Sequence, residues 1–463
     1  MSFNTKHPEY QRYAHEWKMV TDAVNGEDAI KQAGVQYLPM SAGMIIAKKN
    51  QNQTQSLDVD EMYRAYKLRA QYPEWVRDAV RAMAGMVSRL KPKMMLEQAK
   101  ISGMEFSATS DGYPLNQLFV RVVLNNIKKG RFGLLCDVDD DGLPFIATYD
   151  ACCIINWKTE AGENGRQDLS LLVLKEEVLS NDDIFSHATK SEYLVYRLVD
   201  GQCQAYRLND AGQQVGEVRY LTKGNTPLGF IPFVFSGAID NSPDVDVVPL
   251  MTMIRAAIKY YQISADYYQE LHLTAHPQPV ITGQDLESSM MVTGPMMSWV
   301  FPSETANAFY LEISGTGIEA KRQAMSEQKN AALEAGARVM DIGGVESGEA
   351  RQARQNDQYA TLHGIVKNSA EAIEQCLRYL GEWYGFTPEQ ANEKLKFTVE
   401  LDFDKVIDIA VLQQLFNASQ MSMVSPETVW EYMQTGQIPE RNWDDEQGRI
   451  LSAGLVNESA KLP

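Results

Sequence analysis

Large apolar side chains recur at heptad spacing in a segment near the middle of the chain. The spacing predicts a long helix over residues 249–273, in which a row of large side chains repeats every seventh position and a second tyrosine column stands one residue before it. The HPQP stretch that follows ends the helix, because proline cannot continue it. The recurring side chains are Ile254, Tyr260, Tyr261, Tyr267 and Tyr268.

A second segment, residues 317–340, repeats this sparse pattern. Ile318, Met325 and Val339 are separated mainly by alanines and charged residues. A helix in a globular monomer usually has an apolar face at least about 100° wide, and the apolar faces of both segments are narrower than this. Two interpretations follow. The helices are either half-buried parts of one globular chain, or they pack side by side with copies from neighbouring subunits, as in a closed ring.

The pattern before these helices changes from helical to strand-like. A helical stretch at 59–90 is interrupted at Pro73, and a second one at 115–127 ends at Gly130. Period-two alternation then predicts a hairpin around the sequence DDDG and further strands after it. The predicted strands are 130–138, 143–151, 154–158, 169–178, 192–199, 203–208, 217–222 and 229–237.

The pattern after residue 273 predicts a small β-rich insert between the two long helices. A third helix over 356–384, a strand at 396–404 and a helical tail follow the second long helix. Ser425 and Pro426 are typical of a helix start in that tail. The element order therefore predicts an α+β protein.

The charge balance argues against tight binding of nucleic acid. The chain has 43 basic and 61 acidic residues, a formal net charge of −18, whereas proteins that grip phosphates normally have a basic excess. Weak, transient contact with a polyanion remains compatible with this charge.

The sequence predicts neither a targeting segment nor a disulfide or metal framework. The first 17 residues hold no apolar run, so we expect no signal peptide, and no apolar segment is long enough to span a membrane. The cysteines have no metal-like spacing, which favours reduced thiols.

The DVDDDG stretch is the candidate with the most catalytic character. Asp137, Asp139 and Asp141 match the first half of a calcium loop, but Thr148 stands where the loop needs a glutamate. Because the flanks are strand-like, a solvated turn is favoured over a metal site. His272 and His276 have helical zinc spacing, but Pro277 interrupts the helix. No motif combines nucleophile, base and orienting group, so the sequence predicts a protein that is not an enzyme and needs no cofactor.

Several motifs, taken in order, resemble one family. VQYLP, YRAYKLRAQYPEWVRDAVRAMAGMVSRLKPK, GRFGLLCD, FIATYDACCIINWK and GFIPFVFSGA are followed by PLMTMIRAAIKYYQISADYYQELHLTAHPQPVITG, GPMMSWVFP and YLEISGTGIEAKRQAMSEQKNAALEAGARVM. Together they resemble phage portal proteins, of a family long labelled only as uncharacterised. The resemblance covers residues 37–340.

This resemblance implies a portal-like fold and a role in the virion. The fold has an α/β wing, two long stem helices, a small β-rich clip insert and a helical crown. Laid on this chain, the parts are an N-terminal wing (1–248), stem helix 1 (249–273), the clip (274–316), stem helix 2 (317–340), a tunnel loop (341–355), a second wing part with a long helix (356–401) and the crown (402–463).

The family's function implies a dodecameric ring, assembled in the host cytoplasm at one capsid vertex, through which DNA is packaged and ejected. The implied partners are other copies of the chain, double-stranded DNA in transient contact, the terminase large subunit, capsid and scaffold proteins, and a head–tail adaptor, with no membrane.

Site residues follow from this layout in three groups. The tunnel loop offers Gly343, Gly344, Glu346, Gly348, Glu349, Arg351 and Arg354, and the stem channel offers Lys321, Arg322 and Lys329. Contacts between neighbouring stems are expected from Ile254, Tyr260, Tyr261, Tyr267, Tyr268 and Met325. The alternatives are a soluble adaptor or scaffold protein, and a metal-dependent enzyme that uses Asp137, Asp139 and Asp141.

Overall fold

The structure of the protein is a computed structural model. It describes residues 3–49, 58–161, 167–179, 185, 187–274, 278–282, 305, 307–311, 316–336, 348–400, 409–435, 438–439 and 441–459. Within these ranges, no helix combines the length and apolar character that a membrane crossing requires.

Helices and strands are both prominent, so the predicted α+β class is confirmed. The helices are α1 (Pro8–Asn25), α2 (Glu27–Ala33), α3 (Ala42–Lys49), α4 (Val59–Arg69), α5 (Trp75–Val87), α6 (Leu115–Lys129), α7 (Met251–Thr274), α8 (Thr316–Glu334), α9 (Gly348–Trp383), α10 (Pro388–Lys394), α11 (Ile409–Gln420), α12 (Pro426–Thr435) and α13 (Trp443–Ser459).

Within the described ranges, the strands form five antiparallel sheets. They are β1 (Pro92–Leu96), β2 (Arg131–Val138), β3 (Pro144–Asp150), β4 (Ile154–Ala161), β5 (Gln167–Leu179), β6 (Thr189–Val199), β7 (Gln202–Asn209), β8 (Gln214–Tyr220), β9 (Thr222–Lys223), β10 (Thr226–Pro227), β11 (Phe233–Gly237), β12 (Gln278–Thr282), β13 (Asn307–Leu311) and β14 (Leu395–Val399). The sheet orders are β1-β14, β9-β10, β11-β2-β3, β12-β13 and β4-β5-β6-β7-β8.

Local sequence explains where several helices begin and end. Asp58 caps α4 by accepting the N–H groups of Asp60 and Glu61. Gly130 ends α6 in the left-handed region at φ 69° and leads directly into β2. At α10, Thr387 and Gln390 form a reciprocal capping box.

A buried layer joins the three-stranded sheet to two helices. α6 and α9 pack against each other and against β2 and β11. At their junction, Asn126 is fully buried and its amide nitrogen donates to the hydroxyls of Ser236 (2.7 Å) and Ser369 (3.1 Å). Because a buried polar group is costly unless it is paired, these bonds fix the relative position of α6, β11 and α9.

The chain divides into two compact units. Met1–Val399 contains all five sheets and α1 to α10, and Glu400–Pro463 contains α11 to α13. In the second unit, Leu415 of α11 packs with Val429 and Tyr432 of α12. The predicted cap is present, since the Ser425 hydroxyl accepts the N–H of Thr428 at 3.2 Å.

Most predicted elements are confirmed, but some elements and boundaries differ. The hairpin, the strands after it and the helix break at Pro73 are present, but α1, α2, α3 and α10 were not predicted. The second long helix ends at Glu334, before the predicted residue 340. α9 begins at Gly348, so residues 348–355 of the predicted tunnel loop are helical.

Candidate functional site

The two long helices form a hairpin, which we call the stem hairpin (α7 and α8). Lys321, near the start of α8, forms an ion pair with Glu270, near the end of α7. A side-chain carbon at Gly317 would lie 3.1 Å from the Glu270 carboxylate, so the helices are close at this level. Since the start of one helix meets the end of the other, α7 and α8 run antiparallel.

α7 is also covered by the chain's own N-terminal helices. The Tyr66 hydroxyl of α4 donates to the Asp266 carboxylate at 2.6 Å, and the Arg69 guanidinium donates to the Gln269 side chain at 3.1 Å. These bonds bridge about 200 residues of sequence. They hold α4 along the second half of α7.

The segment between α4 and α5 continues this cover. The Gln71 N–H donates to the Ser264 hydroxyl (2.9 Å), which in turn donates to the Gln71 carbonyl (3.0 Å). The Tyr268 hydroxyl donates to the Gln71 side-chain oxygen at 2.9 Å. Gln71 therefore binds α7 through both its backbone and its side chain.

Three of the residues predicted to contact neighbouring subunits are buried within this chain. Ile254 and Tyr261 are fully buried within this chain, where Tyr261 packs edge-on against Tyr72 with ring centroids 6.2 Å apart. Met325 is buried on α8, a helix that packs against α7. Because other segments of the same chain already cover these side chains, little of their surface is left for contact with another copy.

The other three tyrosines are only half-buried. Tyr260 packs edge-on against Trp75 at 5.1 Å, and Tyr267 packs edge-on against Tyr268 at 5.0 Å. Burial raises the pKa of Tyr260 and Tyr261, so both phenols are protonated at neutral pH. Contact of the half-buried tyrosines with another copy stays a prediction.

α8 has one covered side and one uncovered side. The covered side includes Met325 and Ala332. The uncovered side is almost entirely polar: its exposed residues are Glu319, Ala320, Arg322, Gln323, Ser326, Glu327, Lys329, Asn330 and Glu334. The stem hairpin therefore offers water a polar surface rather than an apolar one.

The three predicted stem-channel cations are in different situations. Arg322 forms an exposed ion pair with Glu319 one turn away at 2.7 Å, and Lys321 is held by Glu270. Lys329 is exposed on the uncovered side of α8. Among the described residues, no carboxylate lies within ion-pair distance of Lys329.

The predicted tunnel-loop residues are only partly within the described ranges. Gly343, Gly344 and Glu346 lie outside them. Gly348, Glu349, Arg351 and Arg354 belong to the first turns of α9, where the description covers the backbone but not these side chains.

The predicted clip contributes one described hairpin. β12 and β13 pair antiparallel, with Gln278 opposite Leu311 and Thr282 opposite Asn307. This ladder closes the far end of the stem hairpin, because β12 follows α7 and β13 precedes α8 in the chain.

The aspartates of the DDDG turn do not converge. Asp137 pairs with Arg219, while the Asp139 carboxylate accepts the N–H of Leu143 at 2.7 Å and so stabilises the turn. Gly142 completes the turn at φ 70°. In the ranges that the structure describes, no group of three or more His, Cys, Asp or Glu side chains could hold a metal ion. The geometry favours a structural turn.

The fold and this site thus define an α+β protein with a two-helix rod closed by a β hairpin. The sequence model of a family described as "Domain of unknown function (DUF4055)" matches residues 249–384, which contain α7, α8, α9, β12 and β13. The predicted resemblance to a family labelled only as uncharacterised is confirmed over this segment. No curated protein matches the chain.

Three solved structures are similar to this chain at low identity. A chain of the virion of a native gene transfer agent particle is 12% identical, with a TM-score of 0.45, covering 79% of this chain and 90% of that one. A chain of the neck of an empty particle, computed with C6 symmetry, is 12% identical, with a TM-score of 0.42 and coverages of 80% and 91%. A chain of the neck of a native particle, computed with C12 symmetry, is 10% identical, with a TM-score of 0.41 and coverages of 79% and 90%.

Proposed function

We propose that this protein is a phage portal protein, which forms a dodecameric ring at one capsid vertex and serves as the channel for packaging and ejection of DNA. The observation that carries the proposal is the stem hairpin: α7 is anchored to its own wing, whereas α8 packs on α7 and leaves a polar side uncovered. A polar surface of this kind suits the wall of a water-filled channel. The ordered set of sequence motifs supports the same function.

The charge of the chain suits transient contact with DNA. Duplex DNA has one negative charge per ~1.7 Å of its axis, and a net charge of −18 on each subunit would repel it. Lys329, together with Arg322, would supply shallow attraction on the uncovered side of α8. Such a surface lets a duplex slide in both directions without being held.

The remaining parts of the proposal follow from the same assignment. Residues 341–347 and the start of α9 form the tunnel loop, which includes Arg351 and Arg354. The β12–β13 insert is the clip, and it docks the terminase large subunit during packaging and the head–tail adaptor afterwards. Capsid and scaffold proteins surround the wing. The ring is assembled in the host cytoplasm and resides in the virion.

Neighbouring stems meet, in this proposal, through half-buried side chains on α7. Tyr260, Tyr267 and Tyr268 have partly free ring surfaces, and rigid aromatic rings supply wide contact area at low entropic cost.

Mass photometry of the purified chain, followed by negative-stain images, tests the proposal directly. We expect particles of about twelve subunits with a central hole. A protein that stays monomeric or dimeric at micromolar concentration would instead be an adaptor or scaffold, and the portal assignment would be withdrawn.

A further inference from the structure

Residues 3–10 lie across one face of the five-stranded sheet and are held there by the rings of Phe3, His7 and Tyr10. Phe3 packs edge-on against Tyr193, with centroids 5.0 Å apart. Tyr10 packs on the buried cluster of Ile155, Val173 and Val195. We call residues 3–10 the strap, since they cover apolar side chains of the sheet without forming a strand of it.

His7 is the central anchor of the strap. Its N–H donates to the Ile155 carbonyl at 2.9 Å, and its ring stacks on Trp157, with centroids 3.8 Å apart and planes 23° from parallel. The same ring caps α1, because its Nδ1 accepts the N–H of Glu9 at 3.3 Å. A nitrogen that accepts a hydrogen bond has no proton, so this cap requires neutral His7.

A buried cation occupies the other face of Trp157. The Arg131 guanidinium carbon lies 4.1 Å from the centre of the Trp157 ring and 4.3 Å from that of Phe235. Its Nη1 donates to the Pro243 carbonyl at 2.7 Å, while Nε and Nη2 have no hydrogen-bond partner among the described residues. A ring face has room for one such group, so His7 and Arg131 lie on opposite faces of Trp157.

The charged groups that face His7 come from three elements. Burial and Arg131 of β2 lower the pKa of His7, whereas Glu9 of α1 and Asp244, before α7, raise it. The balance is a pKa below the ordinary value of about 6.5. The docked strap therefore favours neutral His7 over its protonated form.

We propose that the strap is an acid-released cover of the sheet: protonation of His7 removes the cap of α1 and places a second cation against Trp157 opposite Arg131. The sign follows from linkage. Because the docked state binds protons less readily than the released state, docking is strongest above about pH 6.5 and weakens as the pH falls below it. Release uncovers the apolar cluster of Ile155, Val173 and Val195.

Hydrogen exchange of the full-length protein tests this device, with each rate corrected for the intrinsic effect of pH on exchange. We expect amides of residues 9–13 in the wild type to lose protection by about two- to tenfold between pH 7.5 and pH 5.5. His7→Asn should keep its protection at both pH values, because asparagine caps helices without titrating. His15→Asn is the matched control on the exposed side of α1 and should behave as the wild type does.

Two results would overturn the proposal: equal protection of the wild type at both pH values, or the same acid loss in His7→Asn. If His7→Asn is already released at pH 7.5, Arg131→Met decides the question. That variant removes the opposing charge and should move release to lower pH. An unchanged release pH in Arg131→Met would then contradict the role of the Trp157 stack.

Discussion

The rings of Tyr261 and Tyr72 meet edge-on inside the first unit, with centroids 6.2 Å apart. Both side chains are buried, and each belongs to a different layer: Tyr261 to α7, and Tyr72 to the segment that covers it. This contact shows that the buried side of α7 is completed within one chain. It also determines which substitutions in the stem should affect folding and which should affect assembly.

Tyr261→Ala should destabilise the folded chain itself. Removing a fully buried ring leaves a cavity, so we expect the free energy of unfolding to fall by about 3–5 kcal/mol. Tyr267→Ala, which removes a half-buried ring from the same helix, should cost less than about 1–2 kcal/mol. Urea unfolding at two protein concentrations measures both. If Tyr261→Ala costs no more stability than Tyr267→Ala, or if its cost disappears when the protein is diluted, the Tyr261 ring lies between subunits instead.

Gly130→Ala should disturb the junction that leads into the stem. Gly130 has φ 69°, and an added side-chain carbon would lie 2.7 Å from the Val247 carbonyl oxygen and 2.9 Å from that of Asp246. We therefore expect the free energy of unfolding to fall by about 1–2 kcal/mol from backbone strain and by a further 1–3 kcal/mol, roughly, from the steric clash.

Gly112→Ala is the matched control for that substitution. Gly112 has φ 78°, but no atom would lie within 4 Å of the new carbon, so the strain alone should remain. Thermal unfolding of both variants gives the comparison. A cost for Gly112→Ala as large as that for Gly130→Ala would mean that the carbonyl contacts are unimportant.

Asp150→Asn should reduce stability at neutral pH and matter less in acid. Burial raises the pKa of Asp150, but its ion pair with Lys129 at 2.7 Å, together with hydrogen bonds from Lys129 and Cys152, outweighs this effect and leaves the pKa below its ordinary value. The stabilisation by the pair is therefore present above about pH 4 and is lost as the pH falls through the native pKa.

We expect a difference of about 1–3 kcal/mol between wild type and Asp150→Asn at pH 7, because Asp150 is partly exposed and solvent screens the pair. Urea unfolding at pH 7 and pH 3 measures it. A gap that stays constant between these values would show that the Asp150 charge is not what stabilises the fold.

If the protein forms the proposed DNA channel, Lys329→Glu should weaken its contact with DNA without changing the fold. Its side chain is exposed on the uncovered side of α8, so the free energy of unfolding should change by less than about 0.5 kcal/mol. In fluorescence anisotropy at low salt, we expect severalfold weaker binding of a short duplex and a smaller dependence on salt.

Lys158→Glu applies the same charge change on the exposed surface of β4 and serves as the control. It should leave duplex binding unchanged. If both variants weaken binding to the same degree, the effect is one of net charge, and the position of Lys329 has no special role.

Most secondary structure could be predicted from local pattern. Alternation between Arg131 and Asp150 gave the hairpin, and Gly130 marked the end of α6, because both depend on neighbouring residues alone. α1 was not predicted, since its buried residues, such as Trp17 and Val20, are spread through a polar and aromatic stretch without a clear apolar run.

The partner of the stem could not be predicted in the same way. Heptad spacing identified Tyr261 as a residue to be buried, but the ring that packs against it, Tyr72, lies far earlier in the chain. The spacing describes one surface and contains no information about the surface that meets it.

The sequence by itself determined the α+β class, the two rods with a β insert between them, and the acidic character of the chain. The tertiary structure alone decided that α7 is buried against α4 and the segment after it, while α8 presents a polar side to water. The physical reason is that an apolar stripe determines how much surface must leave water, whereas long-range packing determines which segment covers it.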